Sequence, residues 1–200
     1  MTNTQKKSRT FNFNTKIKVM LMVILLTSAA AQFLTPLWAS FIHTLDNEDI
    51  RTAGIAIAVS SWVIGLTCIP ISKLQTKFFT PTTWLCAGLL VLSACYFCYG
   101  LVHTAFELYL IQSILGLALS VQYPACDTLF TLGATDQNLT VAWGSYTALM
   151  YIGMGLGALI GSHLSHHFGF KVVFSIMGTI PLLLIIFIFV VRDQLQVSKN

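Results

Sequence analysis

Long apolar runs separated by short polar breaks dominate this sequence, and the breaks arrive at intervals that suit helices crossing a bilayer. Six runs stand out, at about 18–42, 51–72, 82–102, 106–131, 139–164 and 171–191. A hydrocarbon core needs about 20 apolar residues per helical crossing, and each run meets that length. The punctuation is of the expected kind: L-D-N-E-D after the first run, T-P-T-T before the third and G-A-T-D-Q-N after the fourth. Only His103 and Thr104 separate the third and fourth runs clearly, so those two helices are expected to be antiparallel neighbours. The pattern predicts an all-α membrane protein of six transmembrane helices over 18–191, flanked by short tails at 1–17 and 192–200.

Composition agrees with the pattern. Charged residues make up 9% and hydrophobic residues 56%, with a mean hydropathy of +0.77, whereas an ordinary soluble domain carries about 25% charged residues. Six crossings and their loops leave no room for a soluble domain. The first run is too long for the core of a cleaved signal peptide and is expected to remain as a helix.

Lysine and arginine set the orientation. With the N-terminus inside, the cytoplasmic side holds Lys6, Lys7, Arg9, Lys16, Lys18, Lys73, Lys77, Arg192 and Lys199. The other side holds only Arg51 and Lys171. Nine against two is a strong positive-inside bias. Both termini are therefore expected in the cytoplasm, and the chain in an inner (cytoplasmic) membrane as a multi-pass protein. The basic tail suits a lipid surface, and no nucleic-acid partner is expected.

The chain also matches itself at an offset of 90. Gly54, Gly65 and Gly88 return as Gly144, Gly155 and Gly178, and Ser72, Leu74 and Phe78 return as Ser162, Leu164 and Phe168. In the opening helix of each copy, Ile24, Leu25 and Gln32 return as Ile114, Leu115 and Gln122. Each copy holds three helices, an odd number, so the second would be inverted in the membrane. Inverted three-helix repeats let two near-equivalent halves exchange inward-open and outward-open states.

Residues 143–174, W-G-S-Y-T-A-L-M-Y-I-G-M-G-L-G-A-L-I-G-S-H-L-S-H-H-F-G-F-K-V-V-F, resemble the fifth and sixth helices of the major facilitator superfamily. The stretch D-I-R-T-A-G-I-A-I-A-V-S-S-W-V-I-G is similar to that superfamily's second helix. Taken along its length, the chain resembles one six-helix half of such a transporter. The resemblance implies alternating-access transport of a small solute, no cofactor and no enzymatic activity. It also implies a partner, either a second copy of this chain or another six-helix half. Departures are as clear. Where the superfamily reads G-x-x-x-D-R-x-G-R after its second helix, I-S-K-L-Q-T-K-F stands here. Gln112 replaces the customary arginine of the fourth helix, and Gly157-Ala158 replaces a Gly-Pro pair. Proton-coupled antiport loses its usual charges, and a non-transporting scaffold or accessory subunit derived from a transporter half is the alternative.

Candidate residues follow from the cost of polarity in lipid. A charge at a helix centre costs about 2.5–3.5 kcal/mol on insertion scales and tends to mark a site. Asp127, in Y-P-A-C-D-T of the fourth helix, is such a charge, with Lys73 or Lys77 as a prospective partner at a cytoplasmic gate. In the superfamily the first and fourth helices line the central cavity, which makes Gln32, Gln112 and Gln122 cavity candidates, with Tyr146 and Tyr151 as an aromatic wall. Gly153, Gly157 and Gly161 form a stripe at spacing four, suited to close helix packing or a dimer interface, with Gly54 and Gly65 as part of a facing groove. The five cysteines lie in apolar runs, and the Cys95–Cys98 C-x-x-C reads as packing. His163 and His167 share a helix face without a carboxylate or thiol beside them, so no metal site is expected.

Overall fold

The computed structural model describes residues 13–45, 49–135 and 138–192. The basic residues of the N-terminal tail up to position 12, Asp46 and Glu48 of the first loop, Asp136, and the C-terminal tail from 193 lie outside the described residues. Six helices are long and apolar enough to cross a membrane, and among the described residues there is no strand.

The first span, Thr15–Ile42, is not one continuous helix. α1 (Thr15–Gln32) gives way to a single 3-10 turn at Thr35–Leu37, and α2 (Trp38–Ile42) completes the crossing. Pro36 sits inside that turn and cannot donate a backbone hydrogen bond, which accounts for the break. The remaining spans are α3 (Ile50–Gln75), α4 (Pro81–Cys98, prolonged by a 3-10 turn at Tyr99–Leu101), α5 (Ala105–Gly133), α6 (Leu139–Phe168) and α7 (Phe170–Val190). The caps explain the sharp starts. Asp49 accepts from the Arg51 amide, Thr80 accepts from the Thr83 amide with Pro81 opening the helix, and Thr104 and Glu107 form a capping box. At the α6–α7 corner Gly169 takes φ 77°, a backbone state that glycine adopts without penalty.

The helices fall into two rows. α3, α5, α1 and α6 follow one another across one side, with α5 on α3 and α6 on α1 as the extensive contacts. α4 and α7 pack together behind them, α4 also against α5. The buried side chains concentrate in α1, α4, α5 and α7. α3 and α6 flank this core and present most of their surface outward, including Trp62, Leu66, Tyr151 and Leu159. In a bilayer such surface faces lipid or another helix at little cost.

Two aromatic clusters close the bundle at its ends. At one end Phe41 of α2 lies between Trp38, Tyr99, Phe170 and Phe174, with ring centroids 5.1–6.2 Å away. The Trp38 indole donates to the Ala53 carbonyl at 3.2 Å, tying the end of the first span to α3. At the other end Phe130 of α5 meets Trp143 and Tyr146 of α6, each at 5.0 Å. Several hydroxyls within the helices have a local acceptor, whereas Ser93 of α4 donates to the Gly178 carbonyl of α7 at 2.6 Å. Thr27, Thr67, Ser72 and Ser113 each donate to the carbonyl four residues earlier, as a medium without water requires.

Candidate functional site

α6 carries glycines on two opposite faces, and the two faces meet different surroundings. Gly153, Gly157 and Gly161 press onto the backbone of α1 and the turn that follows it. A β-carbon at these positions would run into the carbonyl oxygens of Leu25, Ala29 and Phe33. Of the two roles expected of this stripe, close helix packing or a dimer interface, the close approach within the chain is to the first span. Gly144 and Gly155, with Tyr151 between them, lie about half a helical turn away from the stripe. A β-carbon at Gly144 or Gly155 would meet no atom within 4 Å, and Tyr151 is 63% exposed.

α3 is arranged alike. Gly54 and Gly65 share a face about 20° apart at 100° per residue, and a β-carbon at either would meet nothing within 4 Å. The opposite face of α3 packs on α5, where a β-carbon on Gly116 would come within 2.8 Å of the Ser60 carbonyl oxygen and 2.9 Å of Val63 Cβ. Thr67 and Ser120 hydroxyls meet across that contact at 2.7 Å, and the Gln75 amide donates to the Val121 carbonyl at 2.8 Å.

Asp127 and Tyr146 come together. The Tyr146 hydroxyl donates to Asp127 Oδ1 at 2.9 Å, joining α5 to α6 near the Phe130–Trp143–Tyr146 cluster. Asp127 stands six residues before the end of α5 and is half-buried. Neither lysine offered as its partner reaches it: Lys73 and Lys77 are exposed, and among the described residues the ion pair is Arg51 with Asp49. Tyr123, one turn before Asp127 on the same face, is 44% exposed. No apolar or charge pattern in the sequence singles out Tyr123. Its i,i+4 relation to Asp127 was the available signal.

Gln112 and Gln122 are buried inside the domain, and the Oε1 of each has no hydrogen-bond partner among the described residues. Gln122 lies against α4, where a β-carbon on Gly88 would be 3.0 Å from its Cα and Cβ. The physical reason is azimuth. Position 122 points toward α4, while Gly116 and Ser120 of the same helix point toward α3. Gln32 ends α1 and is half-buried. Cys95 is buried and Cys98 exposed, so the C-x-x-C pair faces two environments. His163 and His167 rings lie 4.5 Å apart, near the end of α6. Among the described residues no three His, Cys, Asp or Glu side chains gather as a metal set would.

Neither a curated protein nor a solved structure matches the chain. Residues 16–200 match the family described as Major Facilitator Superfamily, which takes in all six spans. A match over almost the entire chain shows that it belongs to the Major Facilitator Superfamily.

Proposed function

We propose that this chain is one half of a small-solute transporter, and that it works as a dimer around a two-fold axis along the membrane normal. The observation that carries this reading is the pair of open glycine faces, Gly54 and Gly65 on α3 and Gly144 and Gly155 on α6, in a bundle that holds six spans. Small residues let backbones approach where lipid supplies no hydrophobic drive. A second copy, or another six-helix half, set against α3 and α6 would enclose a cavity that opens alternately to each side by rocking.

The offset-90 relation supports the alternating part of the reading. α1 packs on α6 as α5 packs on α3, and these are the pairs an inverted three-helix repeat equates. Gly153 against Leu25 and Gly116 against Val63 occupy places that correspond to within one residue, the glycine standing on the middle helix of the second copy in one contact and on the first helix of that same copy in the other. Both termini on the cytoplasmic side of an inner membrane follow from the lysine and arginine count.

Subunit counting tests the dimer. The fluorescently tagged chain in lipid bilayers is expected to bleach in two steps, and Gly155→Cys is expected to form a cross-linked dimer on mild oxidation in a background without native cysteines. Single-step bleaching, with no cross-link at Gly155 or Gly65, would favour the scaffold reading.

A further inference from the structure

We propose that Asp127, with Tyr123 and Tyr146, forms a binding site for an organic cation, a protonated or quaternary amine. This deepens the transporter reading and rests on it.

The argument begins with an unbalanced charge. Asp127 lies inside the α5 span, where an ionised group on a lipid-facing surface is costly and such side chains turn to a bundle interior or a wet cavity. Among the described residues no lysine or arginine reaches it, and the one hydrogen bond to its carboxylate is from the Tyr146 hydroxyl to Oδ1. Tyr146 itself packs in a three-ring cluster, with Phe130 at 5.0 Å and Trp143 at 5.1 Å. One carboxylate oxygen is thereby fixed and oriented, while the other keeps its acceptor capacity. Such pre-organisation belongs to a group that receives a charge more than to one that shields its own.

The surroundings select among cations. A hard metal ion wants six or more oxygens. Here the carboxylate offers two, one of them already occupied, and the neighbouring phenol donates to it. Tyr123, one turn before Asp127 on the same helix face, brings an aromatic ring that is 44% exposed. A carboxylate with an aromatic face next to it matches an amine cation, which takes charge from the first and a cation–π contact from the second.

Equilibrium binding tests this without requiring transport. The probe is radiolabelled benzyltrimethylammonium, bound to the full chain in phosphatidylcholine nanodiscs, with neopentylbenzene as the uncharged competitor of the same shape. Saturable binding is expected, and neopentylbenzene is not expected to displace it. Asp127→Asn keeps an acceptor for Tyr146 but removes the charge, and is expected to weaken binding about tenfold or more. Tyr123→Leu is expected to weaken it about threefold, and decides the matter if the Asp127 variant does not fold. No saturable binding, equal binding by folded Asp127→Asn, or equal competition by neopentylbenzene overturns the site. A carboxylate that supports flux driven by a pH gradient while binding no quaternary amine is a proton carrier, and that result overturns it too. Binding that depends on Asp127 in a protein that moves no solute upholds the site and removes the transporter reading. Flux in a protein whose amine binding ignores Asp127 does the reverse.

Discussion

Gly157 of α6 lies so close to Ala29 of α1 that a β-carbon would collide with the Ala29 carbonyl oxygen and crowd its Cα. Gly157→Leu is therefore expected to disrupt the fold of each chain instead of releasing folded monomers from a dimer. Even Gly157→Ala should cost about 1–3 kcal/mol, because the obstruction is backbone and cannot swing aside. Gly155→Ala, two residues along on the open face, serves as the control and should leave the fold intact. Thermal unfolding of the three variants in one detergent checks this. A Gly157→Ala protein as stable as Gly155→Ala would mean that α1 and α6 have room for a methyl group between Gly157 and Ala29.

The Thr67–Ser120 contact supplies a second test. Each hydroxyl has one proton, so one of the two donates across the interface while the other turns back to its own helix, to Val63 or Gly116. Removing either partner by Thr67→Val or Ser120→Ala leaves the other its local carbonyl. The coupling in a double-mutant cycle should therefore be small, about 0.6 kcal/mol, as for interhelical hydrogen bonds in other membrane bundles. A coupling near zero would show that both protons stay within their own helices.

Much of the fold was legible because membrane spans are written in composition. Each apolar run became a helix for the same reason it was recognisable: the bilayer core leaves backbone groups no partner except one another. The break at Thr35–Leu37 was less legible, although Pro36 announces it, because the apolar run continues through it unchanged. Sites were harder to read. Asp127 and Tyr146 could be chosen singly from the cost of their polarity, but their hydrogen bond joins two helices whose relative rotation no local pattern encodes. For the same reason no local pattern says that Gln122 lies against Gly88, or that α1 is what the 153–157–161 stripe packs on.

Orientation is open to direct measurement. Thr44, exposed between the first span and α3, and Thr76, exposed after α3, stand at opposite ends of a crossing. In a chain free of native cysteines, Thr44→Cys should react with an impermeant thiol reagent added outside the inner membrane. Thr76→Cys should react only after that membrane is opened. The reverse pattern would invert the topology and place both termini outside.

Gln122 yields the last expectation, and it runs opposite to what a cavity role would require. Its Oε1 is buried without a hydrogen-bond partner among the described residues, a state that costs about 1–3 kcal/mol for a neutral acceptor. Its Cβ does the packing, since that atom and the Cα are what Gly88 approaches. Leucine keeps the Cβ and much of the bulk while removing the acceptor, and it is favoured in a bilayer core. Gln122→Leu should therefore leave the unfolding temperature unchanged or raise it by a few degrees, and should leave solute flux near the parent value. Gly88→Ala, by contrast, should lower stability, because its new methyl group would sit 3.0 Å from the Gln122 backbone. Unfolding measured by intrinsic fluorescence, with flux in reconstituted vesicles, distinguishes the outcomes. A stable Gln122→Leu protein that has lost flux would return this glutamine to the transport path and show that α4 moves away from it during the cycle.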